Sequence, residues 1–99
     1  MYYLDAWNFP TLPSLLESWE NQRVPISQQE RVYQEFVRLY KAYCYELYAD
    51  NQPKLKEVLN IRKGKDQRKA TVNRSLEKLD LPYVVKKERN CWVLRKKDT

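Results

Sequence analysis

The chain has 99 residues, 42% of them hydrophobic and 13% aromatic, and a formal net charge of +6. This length fits one domain with a small core, and the aromatic content excludes a disordered chain. The chain contains no histidine and a single glycine, Gly64. These absences exclude a Ser-His or Cys-His nucleophile pair, a histidine metal site and the common glycine-rich phosphate loops. We therefore expect a protein that is not an enzyme and that has no metal site and no cofactor.

The two cysteines and the N-terminus bear on the compartment. Cys44 and Cys91 cannot form a four-ligand zinc site without carboxylates, and no secretory feature favours a disulfide between them. The first ten residues have neither an early cation nor a long apolar run, unlike a signal peptide. No stretch approaches the roughly 20 apolar residues of a membrane span. We expect two reduced, packed cysteines, a cytoplasmic location and no membrane contact.

Charge is distributed unevenly along the chain. Residues 1–50 hold four Lys/Arg and seven Asp/Glu, whereas residues 51–99 hold fifteen Lys/Arg and six Asp/Glu. So strong an excess of cations in one half indicates a surface that meets polyanions. The alternative is an ordinary solvated surface rich in lysine.

The first 26 residues are interpreted as an arm and a short helix used for packing or dimerisation. Residues 1–10 contain five large apolar side chains, which is typical of a segment that packs and not of a free tail. Thr11 is a suitable N-cap, and the apolar residues Leu12, Leu15, Leu16 and Trp19 then share one helical face. Residues 21–25 end this helix.

Residues 27–99 are interpreted as the domain proper, which begins with a long helix. Ser27 and Glu30 have the spacing of a capping box, and the helix is predicted to reach Ala49. Its apolar stripe is wider than one contact surface needs, so we expect contacts with the core and with the N-terminal helix or a partner subunit. The side chains predicted for that dimer or partner interface are Trp7, Phe9, Leu12, Leu16, Trp19, Tyr33, Tyr40 and Tyr48.

The second half is predicted to contain two further helices and a β-hairpin. A short helix runs from Pro53 to Asn60, and a basic loop at 61–65 follows it. The next helix, 66–80, buries Val72, Leu76 and Leu79. Strands at 83–87 and 91–95 flank a turn at 88–90. The predicted fold class is mainly α with a C-terminal β-hairpin.

The segment Ala70-Thr71-Val72-Asn73-Arg74-Ser75-Leu76-Glu77-Lys78-Leu79 resembles the recognition helix of the winged-helix branch of the helix-turn-helix superfamily. Many winged-helix regulators have a Thr-Val-x-Arg-x-Leu-x-x-Leu stretch followed by a hairpin, and Leu55-x-x-Val58-Leu59 looks like the preceding helix. The resemblance covers roughly residues 28–97 and implies a winged-helix domain with an N-terminal extension. Asn60 stands where a glycine is usual, and the loop after it is long for the superfamily.

The helix face opposite the buried stripe suits a DNA groove. Gln67, Asn73 and Arg74 can distinguish bases, small residues allow close approach, and cations near the helix start and on the hairpin can hold phosphates. The complete set of predicted DNA-binding residues is Lys63, Lys65, Gln67, Arg68, Lys69, Ala70, Thr71, Asn73, Arg74, Lys78, Lys86, Lys87 and Arg89.

Two functions are compatible with these patterns. The first is a small transcriptional regulator or accessory factor of DNA transactions that binds duplex DNA, more readily than RNA, as a homodimer joined through its N-terminal half. The alternative is an adaptor or inhibitor that binds an acidic protein partner and no nucleic acid. The aromatic content of residues 1–48 favours this second function. The fold does not decide between them.

Overall fold

The computed structural model describes residues 9–60 and 68–97. Within these ranges the chain forms four α-helices and a three-stranded sheet. Helix α1 spans Leu12–Glu20, strand β1 Val24–Pro25, helix α2 Gln29–Tyr48, helix α3 Gln52–Leu59, helix α4 Arg68–Lys78, strand β2 Tyr83–Glu88 and strand β3 Cys91–Lys96. A mainly helical chain that ends in a β-hairpin is confirmed. The sheet also has a third strand, β1, which was not predicted.

The sheet is antiparallel in the order β1-β3-β2. Strand β1 pairs Val24 with Trp92 and Pro25 with Cys91, so the segment expected only to end α1 also binds the hairpin. Proline lacks the N–H that an interior strand needs, and it is tolerated here because β1 is an edge strand. The N-terminal part of the chain is thereby joined to the C-terminal hairpin.

Helix α1 begins as predicted and packs against β3. The Thr11 hydroxyl accepts from the Ser14 backbone N–H at 3.3 Å, and the Ser14 hydroxyl accepts from the Thr11 N–H at 3.2 Å. Both orphan N–H groups are thus satisfied at the helix start. At the other end Trp19 lies against Trp92 with ring centroids 5.6 Å apart, and its indole Nε1 donates to the Trp92 carbonyl at 3.2 Å. This pair fixes α1 to the sheet.

Half of the predicted partner interface is instead the core of this chain. Leu12, Leu16, Trp19 and Tyr40 are each at most 4% exposed. The Tyr40 hydroxyl donates to the Val58 carbonyl of α3 at 2.7 Å. For these four residues the interface prediction is wrong, because a chain this short needs its large apolar side chains for its own core. Phe9, Tyr33 and Tyr48 are half-buried against that core, and Trp7 lies outside the described residues.

Helix α2 begins later than the sequence indicated. Ser27 lies in a single 3-10 turn, Ile26–Gln28, and the N-cap of α2 is Gln28, which makes no capping side-chain hydrogen bond. The predicted capping box of Ser27 and Glu30 is therefore wrong. The turn follows β1 directly, and pairing with β3 fixes the chain direction there. At the far end of α2, Leu47 is 49% exposed although its spacing continues the apolar stripe.

The two cysteines are free thiols, in agreement with the prediction. Cys44 is buried in α2, and Cys91 is half-buried at the start of β3. Burial raises the pKa of the Cys44 thiol, which keeps it protonated and unreactive near neutral pH.

Helix α4 ends two residues earlier than predicted, in a Schellman motif. The Leu81 N–H donates to the Leu76 carbonyl at 2.9 Å, and the Asp80 N–H donates to the Glu77 carbonyl at 3.0 Å. Asp80 has φ = 55°, which is left-handed backbone that glycine adopts without steric cost. The motif turns the chain from α4 into β2.

We predict that Asp80→Gly is more stable than Asp80→Ala by about 1 kcal/mol, because only the alanine keeps a Cβ in left-handed backbone. Urea unfolding of both variants measures the difference. Both substitutions remove the same carboxylate, so the comparison isolates the backbone effect. Equal midpoints with equal slopes would contradict the role assigned to Asp80.

Candidate nucleic-acid interface

The joint between α4 and the hairpin is built on Asn73. The Val85 N–H donates to Asn73 Oδ1 at 2.7 Å, and Asn73 Nδ2 donates to the Val85 carbonyl at 3.2 Å. Strand β2 is an edge of the sheet, and such an edge presents backbone groups that lack a neighbouring strand. The Asn73 amide supplies both missing partners. It therefore covers part of the edge and binds α4 to β2 at a fixed position.

The remaining contacts show which end of α4 lies near the tip of the hairpin. The Glu77 carboxylate lies 3.8 Å from Lys97 Nζ, and the Lys97 N–H donates to the carbonyl of Pro82, just before β2. The C-terminal end of α4 is thus beside the open end of the hairpin. Because Asn73 meets Val85 in mid-strand, the first turns of α4 extend toward the closed end.

Five exposed cations lie on this pair of elements, and we call them the basic face. They are Lys69 and Arg74 on α4 and Lys86, Lys87 and Arg89 on the hairpin. Lys86 and Lys87 are successive residues of β2 and therefore project to opposite sides of the sheet, so the basic face extends around the edge of the hairpin. Among the described residues, no carboxylate lies within ion-pair distance of Lys69, Lys86, Lys87 or Arg89. The charges of Lys69, Lys87 and Arg89 are therefore not offset by an ion pair with a described carboxylate, and they add to a common positive potential.

The tip of the hairpin is held and does not project freely. Arg89 and Asn90 have φ values of 49° and 61°, the pattern of a two-residue type I′ turn. The Asn90 carbonyl accepts from the Ile26 N–H at 2.8 Å, which ties the turn to the segment between β1 and α2. The position of Arg89 is consequently fixed relative to the helices.

A network on Glu88 marks one limit of the basic face. Its carboxylate lies 2.9 Å from Arg95 Nη2 and 3.8 Å from Arg23 Nη1, and its carbonyl accepts from Arg23 Nη2 at 3.2 Å. The hydrogen bond from Arg95 holds the pKa of Glu88 below its usual range. These two arginines are thus engaged within the protein, and Lys86, two residues before Glu88 on β2, adds a smaller Coulombic attraction to the same carboxylate.

Thr71 does not face outward, contrary to prediction. It is 7% exposed and lines, with Ser75 and residues of α2, a small cavity between α2 and α4. The Ser75 hydroxyl donates to the Thr71 carbonyl at 2.9 Å, which satisfies a buried polar group within the helix. Helix α4 is therefore rotated so that a strip of small polar residues packs on α2. Its solvent side carries Lys69, Arg74 and Glu77.

Three more predicted residues are engaged within the domain. Arg68 pairs with Glu30 of α2 and lies over the Tyr33 ring, 5.9 Å from its centroid. Lys78 Nζ donates to the Glu57 carbonyl near the end of α3 at 3.0 Å, where a cation also complements the helix dipole. Asn73 is held by Val85. These side chains were predicted to contact DNA, but in the structure they contact neighbouring elements, because α4 packs on α2, α3 and β2 together.

The other predicted positions divide into two groups. Ala70 is half-buried, on the turn between Lys69 and Arg74. Lys63, Lys65 and Gln67 lie outside the described residues. In the sequence, Asn73 is a polar side chain beside an apolar stripe. An amide that reads a base and an amide that binds a sheet edge both have this pattern, so the sequence does not distinguish between them.

Comparison with protein-family models, with curated proteins and with solved structures gives no match in any of the three. Across the described ranges, no group of three or more His, Cys, Asp or Glu side chains has an arrangement that could hold a metal ion. Nor does any described helix have the length and apolar composition needed to cross a bilayer. Function has to be inferred from the surface itself.

We predict that Glu88→Gln lowers stability at neutral pH and that this difference shrinks as the pH falls below about 4.3, the ordinary pKa of glutamate. The sign follows from the lowered pKa of Glu88: the folded state favours the carboxylate, so the stabilisation is present above the ordinary value and is lost as the pH falls through the folded value. Urea unfolding of both proteins at a series of pH values measures it. Introducing Arg95→Gln into both proteins should reduce their difference in stability. A difference in stability that changes neither with pH nor with removal of Arg95 would contradict the network.

Proposed function

We propose that the chain binds duplex DNA through the basic face, as a small regulator or an accessory factor of DNA transactions. The observation that supports the proposal is the exposure of five cations on two elements that Asn73 joins rigidly. Because the two elements are already held together, the spacing between the positive charges is set before binding. The entropy cost of ordering the protein on a regular polyanion is therefore smaller.

Electrostatics supports a nucleic acid over a neutral partner. Duplex DNA presents one negative charge per about 1.7 Å of axis, and each neutralised phosphate releases condensed counterions. Three described carboxylates near the basic face form ion pairs outside it: Glu88 with Arg23 and Arg95, Glu30 with Arg68, and Glu77 with Lys97. The positive potential therefore extends over the hairpin tip and the first turns of α4.

A winged-helix domain is the fold that we propose for this surface. The order of α3, α4 and a terminal hairpin supports it, as does the placement of α4 beside β2. One departure is the predicted basic loop at 61–65, which lies outside the described residues and was expected from the sequence to be longer than the 3–4-residue turn usual in helix-turn-helix motifs. The proposed contact with DNA accordingly rests on the charges of the basic face and not on the motif.

DNA is preferred to RNA because of groove shape. The major groove of B-form DNA is wide enough to admit one helix, so the first turns of α4 can approach it, whereas the A-form major groove of RNA is deep and narrow. Of the expected dimer interface, Phe9, Tyr33 and Tyr48 keep partial exposure. A homodimer remains a proposal, and the basic face is complete within one chain.

The alternative of a protein-binding adaptor was favoured by the aromatic content of residues 1–48. Of the aromatic side chains at positions 9–48, all but Tyr45 belong to the core or pack against it. The fold therefore accounts for this content. No described feature favours an acidic protein partner over a nucleic acid.

We predict that Lys87→Ala weakens binding to a 20-base-pair duplex and makes the slope of log K against log salt shallower by about 0.9, because one phosphate contact is lost. Fluorescence anisotropy over a salt series measures both quantities. Lys56→Ala is the matched control, since Lys56 is an exposed lysine on α3, which packs chiefly against α2. It removes the same charge and should leave the slope unchanged. Equal effects of the two variants, or no retention of DNA by the wild type at about 50 mM salt, would contradict the proposal.

A further inference from the structure

The solvent side of α4 offers few groups that can distinguish bases. An amide reads adenine by donating and accepting at once. In Asn73 the donor and the acceptor are both engaged by Val85, at 3.2 and 2.7 Å. To read a base, Asn73 would have to leave Val85 and expose two backbone groups at a sheet edge, which costs free energy because those groups would lose their partners.

The small residues of α4 are also turned away from solvent. Thr71 and Ser75 are buried against α2, and their side chains are therefore covered on the side where a base edge would have to approach. The exposed side instead combines the long cations Lys69 and Arg74 with Glu77. Long cationic side chains reach phosphates without close approach of the helix backbone.

The acidic groups of α4 restrict how deeply it can enter a groove. Glu77 is exposed near the C-terminal end of the helix, with its carboxylate 3.8 Å from Lys97 Nζ, and the exposed Asp80 follows. Bringing this end against a duplex would set carboxylates against phosphates. The approach is therefore limited to the first turns of α4 and the hairpin, where the basic face lies.

Taken with the proposed function, on which this inference rests, these three features define the ligand class. We infer that the basic face binds duplex DNA through its phosphates with little dependence on base sequence, and that Asn73 is a positioning residue that keeps α4 and the hairpin in register with the backbone. Discrimination among sequences stays small, because Asn73, Thr71 and Ser75 are engaged within the domain. The exposed cations of α4, Lys69 and Arg74, are assigned to phosphates.

The test compares three 20-base-pair duplexes of equal length, A/T-rich, G/C-rich and mixed, at one salt concentration with the full chain. The expected dissociation constants agree within about threefold, since phosphate contacts carry no direct sequence information. A selection from a pool of random duplexes should enrich no motif. An enriched motif, or one duplex bound a hundredfold more tightly than the others, would overturn the inference while leaving duplex binding intact.

Two variants separate positioning from base reading. Arg74→Ala and Asn73→Ala should each weaken binding to all three duplexes by the same factor, Arg74→Ala through a lost phosphate contact and Asn73→Ala through loss of the joint with β2. A loss confined to one duplex would identify the residue as a base reader and overturn its assignment. Circular dichroism shows whether Asn73→Ala is folded. If it is unfolded, the comparison of Arg74→Ala with the wild type on the three duplexes is the test of base reading. Failure of the wild type to bind any duplex at about 50 mM salt would remove the proposed function and this inference together.

Discussion

The two hydrogen bonds between Asn73 and Val85 are the constraint on which the functional surface depends. They link α4 and the hairpin, the two described elements that bear the basic face, and they do so through the backbone of an edge strand. Side chains could repack at this joint, but the backbone groups of Val85 can be satisfied in few ways. The cations on the two elements therefore keep their separation.

The joint itself depends on the contacts that fix α4 and the hairpin to the rest of the domain. Helix α4 is fixed by Thr71 and Ser75 against α2, and the hairpin by the pairing of β1 with β3 and by Trp19 on Trp92. The N-terminal helix, whose apolar face was expected to meet a partner, is thus part of the support for the hairpin. Its large side chains stabilise the surface without touching a ligand.

The sequence predicted the elements better than their mutual orientation. Helix periodicity placed α1, α2 and α3 within two residues of their ends, and alternation placed the hairpin, because these patterns are local. Strand β1 was missed, since two residues that include Pro25 have no periodicity and their pairing with Cys91 and Trp92 is long-range.

The orientation of α4 was predicted wrongly at Thr71. Small polar residues such as Thr71 and Ser75 occur both on exposed helix faces and in close helix contacts, so their position in the sequence does not show which of the two applies. Five cations predicted to bind DNA are exposed on α4 and the hairpin, as expected. Asn73, Arg68 and Lys78 instead contact β2, α2 and α3, and no local sequence pattern predicts such long-range contacts.

The central claim, that one rigid face made of α4 and the hairpin meets the DNA backbone, is tested most directly by mapping amide chemical shifts of the full chain during titration with duplex DNA. The account predicts that the shifts concentrate at residues 69–74 and 86–90 and rise together along a single binding curve. Shifts concentrated on the C-terminal half of α2, around the exposed Tyr45 and Leu47, with residues 86–90 unchanged, would contradict it.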